Sequence, residues 1–132
     1  MSRDATGATP PMDGTVYTID AGAGGMQAHE AERFWPRLMA GEITDAGLVT
    51  FMRMTGDFPH WEMHPRGDEL FILHSGAIEI DLEAPDGAKR TIRLNARKTF
   101  LIERGHWHFA RTIEPGDLTV ITFGEGTQHR PA

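Results

Sequence analysis

The sequence predicts an all-β sandwich or barrel carrying one short helix. Three observations support this. From Gly47 onward, short apolar runs recur at regular spacing between turn residues. One run, Ala77 to Glu83, alternates cleanly: Ile78, Ile80 and Leu82 fall on one face, and Glu79, Asp81 and Glu83 on the other. A helical pattern occurs only in His29 to Ala40.

Taken in order, residues 1–14 are small, polar and rich in Pro and Gly, and read as a flexible tail. Residues 15–132 read as a single domain without internal repeats. Val16 to Ile19 is a first short strand. Ala21 to Gly25 is a flexible loop; Gln27 stands where a dinucleotide fingerprint would need its third glycine, and no βαβ unit follows. Pro36 is compatible with a first helical turn, so the helix is expected to start near Trp35 and to stop at Gly41. Strands are then expected at Leu48–Thr55, Phe58–His64, Glu69–His74, Ala77–Glu83, Lys89–Leu94, Thr99–Ile102, Trp107–Arg111 and Leu118–Phe123. Pro85-Asp86-Gly87 makes the hairpin turn between the fourth and fifth of these. The expected core is Phe71, Leu73, Ile78, Ile80, Leu82, Phe100, Ile102, Val120 and Ile121, with Ile92 and Leu94 also inward.

The chain has 132 residues, which suits one domain with its own core. It contains no cysteine, which excludes a disulfide framework, a zinc finger, an Fe–S cluster and a thiol nucleophile. Thirteen basic against 19 acidic residues give a formal charge of −6, which argues against a phosphate-backbone binder, so no nucleic-acid partner is expected. No apolar run is long enough to span a membrane, and Met1 to Pro11 lacks the apolar core of a secretory signal; the expectation is a cytoplasmic protein without a membrane partner. Ser2 and Ser75 lie outside any nucleophile-elbow motif. Seven histidines and the carboxylates remain as chemical groups.

These groups concentrate in two places. If Pro59 to His64 is extended, His60, Glu62 and His64 share one face. The turn Pro65-Arg66-Gly67-Asp68 can then return Glu69 beside His64 on one face of a β-ribbon. Gly105-His106-Trp107-His108 offers two further imidazoles. Ionisable groups on a face that otherwise points into a barrel cost several kcal/mol unless paired or metal-bound. Nitrogen and oxygen donors suit divalent Zn, Fe, Mn or Ni. His29, His74 and His129, taken singly, read as solvated rim residues, and Lys89, Arg90, Arg93, Arg97 and Lys98 as a solvated hairpin. Phe58, Trp61, Met63 and Trp107 are expected on the outer face, against the helix, the tail or a partner subunit.

On these residues the chain resembles the cupin superfamily. The first cupin motif is G-x5-H-x-H-x3–4-E-x6-G, and the chain carries Gly56, Glu62, His64, Glu69 and Gly76 at matching spacing, with Glu62 in place of the first histidine. The second motif is G-x5-P-x-G-x2-H-x3-N. Gly105 and His108 match it, whereas Arg97, Glu103 and Thr112 depart from it. The likeness runs from about Leu48 to Phe123.

The resemblance implies a cupin jelly-roll β-barrel, with the short helix N-terminal to it and a metal in its mouth. Carried over position by position, the metal ligands are His64, Glu69 and His108, with Glu62 taking the first histidine's place. A divalent metal ion is the implied cofactor: Mn, Fe, Zn or Ni, the anionic donor set tilting the choice toward Mn or Fe. Glu62, His60 and His106 are the candidate acid–base groups. The implied function is oxygenase- or isomerase-type chemistry on a small oxygenated molecule. The alternative is a non-catalytic module that binds a small ligand or metal. A homodimer is expected on the same grounds.

Overall fold

The computed structural model describes residues 8–132, so the first seven residues of the expected tail lie outside the described residues. Residues 8–14 are exposed and form neither strand nor helix. The elements that follow are β1 (Thr15–Asp20), β2 (Gly25–Glu30), α1 (Ala31–Met39), β3 (Gly47–Met54), β4 (His60–Met63), β5 (Glu69–Leu73), β6 (Ala77–Glu83), β7 (Lys89–Asn95), β8 (Lys98–Ile102), β9 (Trp107–Glu114), β10 (Gly116–Phe123) and β11 (Gln128–Pro131).

The strands form two antiparallel sheets, ordered β2-β1-β3-β10-β5-β8 and β11-β4-β9-β6-β7. Their facing sides bury Met54, Phe58, Phe71, Leu73, Ile78, Ile80, Leu82, Leu94, Ile102, Ala110, Leu118 and Val120 in one core. The period-two patterns explain this placement. In β6, Ile78, Ile80 and Leu82 are buried, while Glu79, Asp81 and Glu83 face outward and pair with Arg111, Lys89 and Arg130. The Pro85–Gly87 turn closes the β6–β7 hairpin, with Ala84 N–H donating to Ala88 O at 2.8 Å. The five basic residues of this region are exposed.

Five expectations need correction. β4 and β5 do not form a ribbon: they belong to opposite sheets, and the 65–68 turn carries the chain from one to the other. Phe58 is buried in the core against Phe71, because it shares the inward parity of His60 and Glu62. Ile121 is half-buried on the face opposite Val120, as alternation requires. The helix starts at Ala31 rather than near Trp35, placing Pro36 inside it. Pro36 costs one backbone hydrogen bond, and the helix soon ends with Gly41 N–H donating to Leu38 O and Glu42 N–H to Arg37 O, both at 3.0 Å. Finally, β2 and β11 were not anticipated. Phe34, on α1, packs with Val16 and Leu48 in a second, smaller core beside the barrel.

Two backbone positions are tightly constrained. A Cβ at Gly116 would sit 1.9 Å from Ser75 O, so only glycine lets the β9–β10 corner cross the β5–β6 corner. Arg97 has φ +66°, the left-handed conformation that glycine adopts more readily, and its N–H donates to Leu73 O at 2.7 Å. Gly116→Ala is therefore expected to destabilise the fold by ~2 kcal/mol or more in denaturant unfolding, against under ~0.5 kcal/mol for Gly56→Ala in its open turn. Arg97→Gly is expected to stabilise it by ~0.5–1 kcal/mol in the same measurement.

Candidate metal centre

The site forms where the two sheets approach each other. Glu69 is the first residue of β5 in one sheet, His108 lies in β9 of the other, and His64 follows β4 at the turn between them. The turn is pinned to the loop before β9 by two bonds. Gly105 N–H donates to His64 O at 3.0 Å, and Arg104 N–H donates to Asp68 Oδ1 at 2.9 Å. Gly105 has φ +81°, which presents its amide to that carbonyl. The Gly-x-x-His and His-Pro-x-Gly-Asp-Glu segments thus hold each other in position.

His64, Glu69 and His108 are 5%, 5% and 1% exposed. Glu69 Oε1 lies 2.8 Å from His108 Nε2, and Glu69 Oε2 lies 3.1 Å from His64 Nε2. One donor atom from each residue falls within 4.8 Å of the others. The outward nitrogens are committed elsewhere. The Thr127 hydroxyl donates to Gly124 O at 2.7 Å, so its oxygen accepts from His64 Nδ1–H, also at 2.7 Å. His108 Nδ1 faces the carbonyl of His106 at 3.3 Å, which can only accept. Both imidazoles therefore turn Nε2 toward the Glu69 carboxylate. Neither His64 Nε2 nor Glu69 Oε1 completes a hydrogen bond of acceptable geometry despite the short separations. Two imidazole lone pairs and a carboxylate thus face one small volume, which needs a cation: a proton or a metal ion.

Without a metal, the Glu69–His108 pair favours a proton between them. Burial pushes the Glu69 carboxyl up, but the imidazoles of His108 and His64 outweigh it and hold the group at about 2, against an ordinary 4.5. Burial pushes His108 down, but Glu69 outweighs that and raises it above 6.5, with the charge of Glu62 contributing.

Glu62 stands directly opposite His108 in the β4–β9 pairing, and its side chain is 28% exposed. Its Oε2 lies 4.0 Å from His64 Nε2 and 3.8 Å from His129 Nε2. Glu62 therefore borders the inner trio but groups geometrically with His60 and His129, whose donor atoms lie within 4.8 Å of it and of each other. His129 is the residue that the sequence left on the rim. It arrives through β11, which pairs with β4 so that His129 faces Glu62. His106 does not join either group: it precedes β9, its Nδ1 sits 3.4 Å from Arg104 O, and it does not line the cavity.

A cavity of about 750 Å³ opens onto these groups. Trp35 and Leu38 of α1 wall one side, Phe58 and Phe71 lie deeper, and His60, Glu62, His64, Glu69 and His129 supply the polar part. Thr122, opposite Glu69 in the β5–β10 pairing, also lines the cavity, and its buried hydroxyl has no partner among the described residues.

No family model matches the sequence, and no curated protein matches it. Solved structures do resemble the fold. Oxalate decarboxylase from Bacillus subtilis aligns at 19% identity over 92% of this chain and 29% of its own, with a TM-score of 0.55. Peruvianin-I, a cysteine peptidase from Thevetia peruviana latex, aligns at 20% identity over 65% of this chain and 55% of its own, with a TM-score of 0.52. A cupin-2 domain protein from Shewanella frigidimarina aligns at 24% identity over 58% of this chain and 69% of its own, with a TM-score of 0.49. The chain spans under a third of oxalate decarboxylase. At these identities the likeness is one of fold. No helix among the described residues is long and apolar enough to cross a membrane.

The pH dependence of the metal-free protein follows from the two shifts. The Glu69 contribution to stability is complete above about 4.5 and is lost as pH falls from there toward about 2. The His108 contribution is complete below 6.5 and is lost as pH rises through its raised value. Chelator-treated protein should be most stable between these limits. Glu69→Gln should remove roughly 2–3 kcal/mol of the acid-side slope, read from urea unfolding between pH 5 and pH 2.

Proposed function

From a cupin barrel with this donor set, we propose that the chain binds one divalent metal ion through His64, Glu69 and His108 and acts on a small oxygenated molecule held in the adjoining cavity. The observation that supports this most is the convergence of His64 Nε2 and Glu69 Oε1, atoms buried beside His108 Nε2 without completed hydrogen bonds. The residues fit a metal in chemistry as well as placement. Two imidazoles and one carboxylate form the mixed N/O set that divalent Mn, Fe, Zn or Ni accepts, and Thr127 and the His106 carbonyl fix the imidazole tautomers from behind. When bound, such an ion supplies Lewis acidity toward an oxygen of the substrate and, for a redox metal, electron transfer.

The chain's own groups divide the remaining tasks. Phe58, Phe71 and Trp35 give the cavity an apolar wall that holds the body of a small molecule and displaces water. While only the inner ion is bound, Glu62 borders the buried trio and keeps solvent access, which suits a base that takes a proton from a bound hydroxyl or an activated carbon. His60 and His129 lie beside it and can pass that proton toward solvent. Thr122 offers a hydroxyl without a partner among the described residues on the wall that β10 forms. Oxygenation and isomerisation both use this arrangement, and they differ in whether dioxygen is consumed.

Metal content of untagged protein, measured by mass spectrometry, should approach stoichiometric or higher and fall by about one ion per chain in His64→Ala/His108→Ala. Unchanged content in that variant would overturn the reading. Oxygen uptake with panels of small diketones, phenols and sugars then separates an oxygenase from an isomerase. Saturable binding without turnover of any panel member identifies a binding module instead.

Thr122→Val gives a second test. It removes a buried hydroxyl that has no partner among the described residues, so unfolding free energy should rise by ~1 kcal/mol. Affinity for an oxygenated ligand should fall by several-fold with metal content unchanged.

A further inference from the structure

We propose that His60, Glu62 and His129 form a second divalent-cation site at the cavity mouth, and that Glu62 is shared between it and the inner site. The inference rests on the proposed inner site only for the sharing; the outer donor set stands on its own geometry.

The strand pairing builds this set. His60 and Glu62 are two residues apart on β4 and so project from one face. His129 is the β11 partner of Glu62, which brings a second imidazole to the same face. The His60 and His129 rings meet edge-to-face with centroids 4.2 Å apart. One donor atom from each of the three residues lies within 4.8 Å of the others. Donors about 2.1 Å from one ion stand roughly 3–4 Å apart, so small side-chain rotations close the set. The 3.8 Å between Glu62 Oε2 and His129 Nε2 is already in that range.

The charge balance points the same way. The ion pairs of Glu62 among the described residues are with His64 and His129 only, and no lysine or arginine neutralises it. The nearest arginine on β11, Arg130, is on the opposite face, bonded to Glu83 at 2.8 Å and stacked between Trp61 and Trp107. A carboxylate flanked by imidazoles on both sides and by no fixed cation is placed to bridge two metal ions. Both sets have the same composition, two histidines and one carboxylate, which leaves coordination positions open to solvent or ligand.

The test uses the full chain stripped with chelator and dialysed against buffered Zn2+, with zinc per chain read by mass spectrometry. Wild type is expected to hold two equivalents, His60→Ala/His129→Ala one, and His64→Ala/His108→Ala one. The proposal is overturned if wild type holds one ion that His60→Ala/His129→Ala retains, or if that variant still holds two. Loss of a single ion from His64→Ala/His108→Ala alone leaves the inner site standing and removes the outer. A single ion lost only from His60→Ala/His129→Ala supports the outer site and refutes the inner. A readout on the unmutated chain is independent of variant folding. Loaded with two equivalents of Mn2+, it should show a spin-coupled, broadened electron paramagnetic resonance spectrum. An uncoupled six-line spectrum at two bound equivalents would overturn the shared carboxylate.

Discussion

The contact on which the site depends is the Glu69 carboxylate set between the imidazoles of His64 and His108. Its geometry joins the two sheets, since Glu69 belongs to the sheet containing β5, His108 to the sheet containing β9, and His64 to the turn that crosses between them. A buried carboxylate is costly by itself, and two buried imidazoles add to that cost. The arrangement is tolerated because each group is the neutralising partner of the next and because the outer ring nitrogens are already satisfied. The site's rigidity therefore comes from the second layer: Thr127 behind His64, the His106 carbonyl behind His108, and the Gly105 and Arg104 amides that fasten the His64–Asp68 turn.

That second layer explains which parts of the two sequence patterns hold and which vary. Gly105 stays because its φ of +81° turns an amide onto His64 O. Arg97 stands where the pattern has glycine and adopts the left-handed backbone that glycine takes more readily, at φ +66°. The chain carries the strain of a non-glycine residue in that conformation. Thr112, standing at the pattern's asparagine, donates to Gly56 O at 2.7 Å and ties the loop before β4 to β9. A polar side chain at that place still holds the loop from which β4 sets out.

The central strands were legible because their side chains alternate between core and solvent; Ile78, Ile80 and Leu82 against Glu79, Asp81 and Glu83 is the clearest case. β2 and β11 were not legible, and both are edge strands. An edge strand buries little, so Gln128-His129-Arg130-Pro131 has no apolar alternation to announce it. The trio His64, Glu69 and His108 was implied by the resemblance to the cupin motifs, because two short segments contain it. His129 could not, because its place beside Glu62 depends on the pairing of β11 with β4, a contact far apart in sequence. A histidine with the right parity but no strand around it, such as His106, misled for the opposite reason: alternation begins only at Trp107.

The exchange of a histidine for Glu62 then acquires a physical meaning. An imidazole at that position would turn one nitrogen inward and leave a neutral ring facing outward. A carboxylate has two oxygens and a full negative charge, and so interacts on both sides at once. From the core outward the order becomes His108, Glu69, His64, Glu62, His129, with successive N···O separations of 2.8, 3.1, 4.0 and 3.8 Å. Base and acid alternate throughout, from a side chain that is 1% exposed to one that is 33% exposed. Each imidazole therefore has a carboxylate neighbour, and Glu62 carries negative charge from the buried trio to the cavity mouth. A histidine there would end the alternation at His64 and leave His60 and His129 as an unpaired cluster of imidazoles. With Glu62 in place, those two imidazoles become the outer half of a single polar array, and the cavity gains a polar entrance on an otherwise apolar wall.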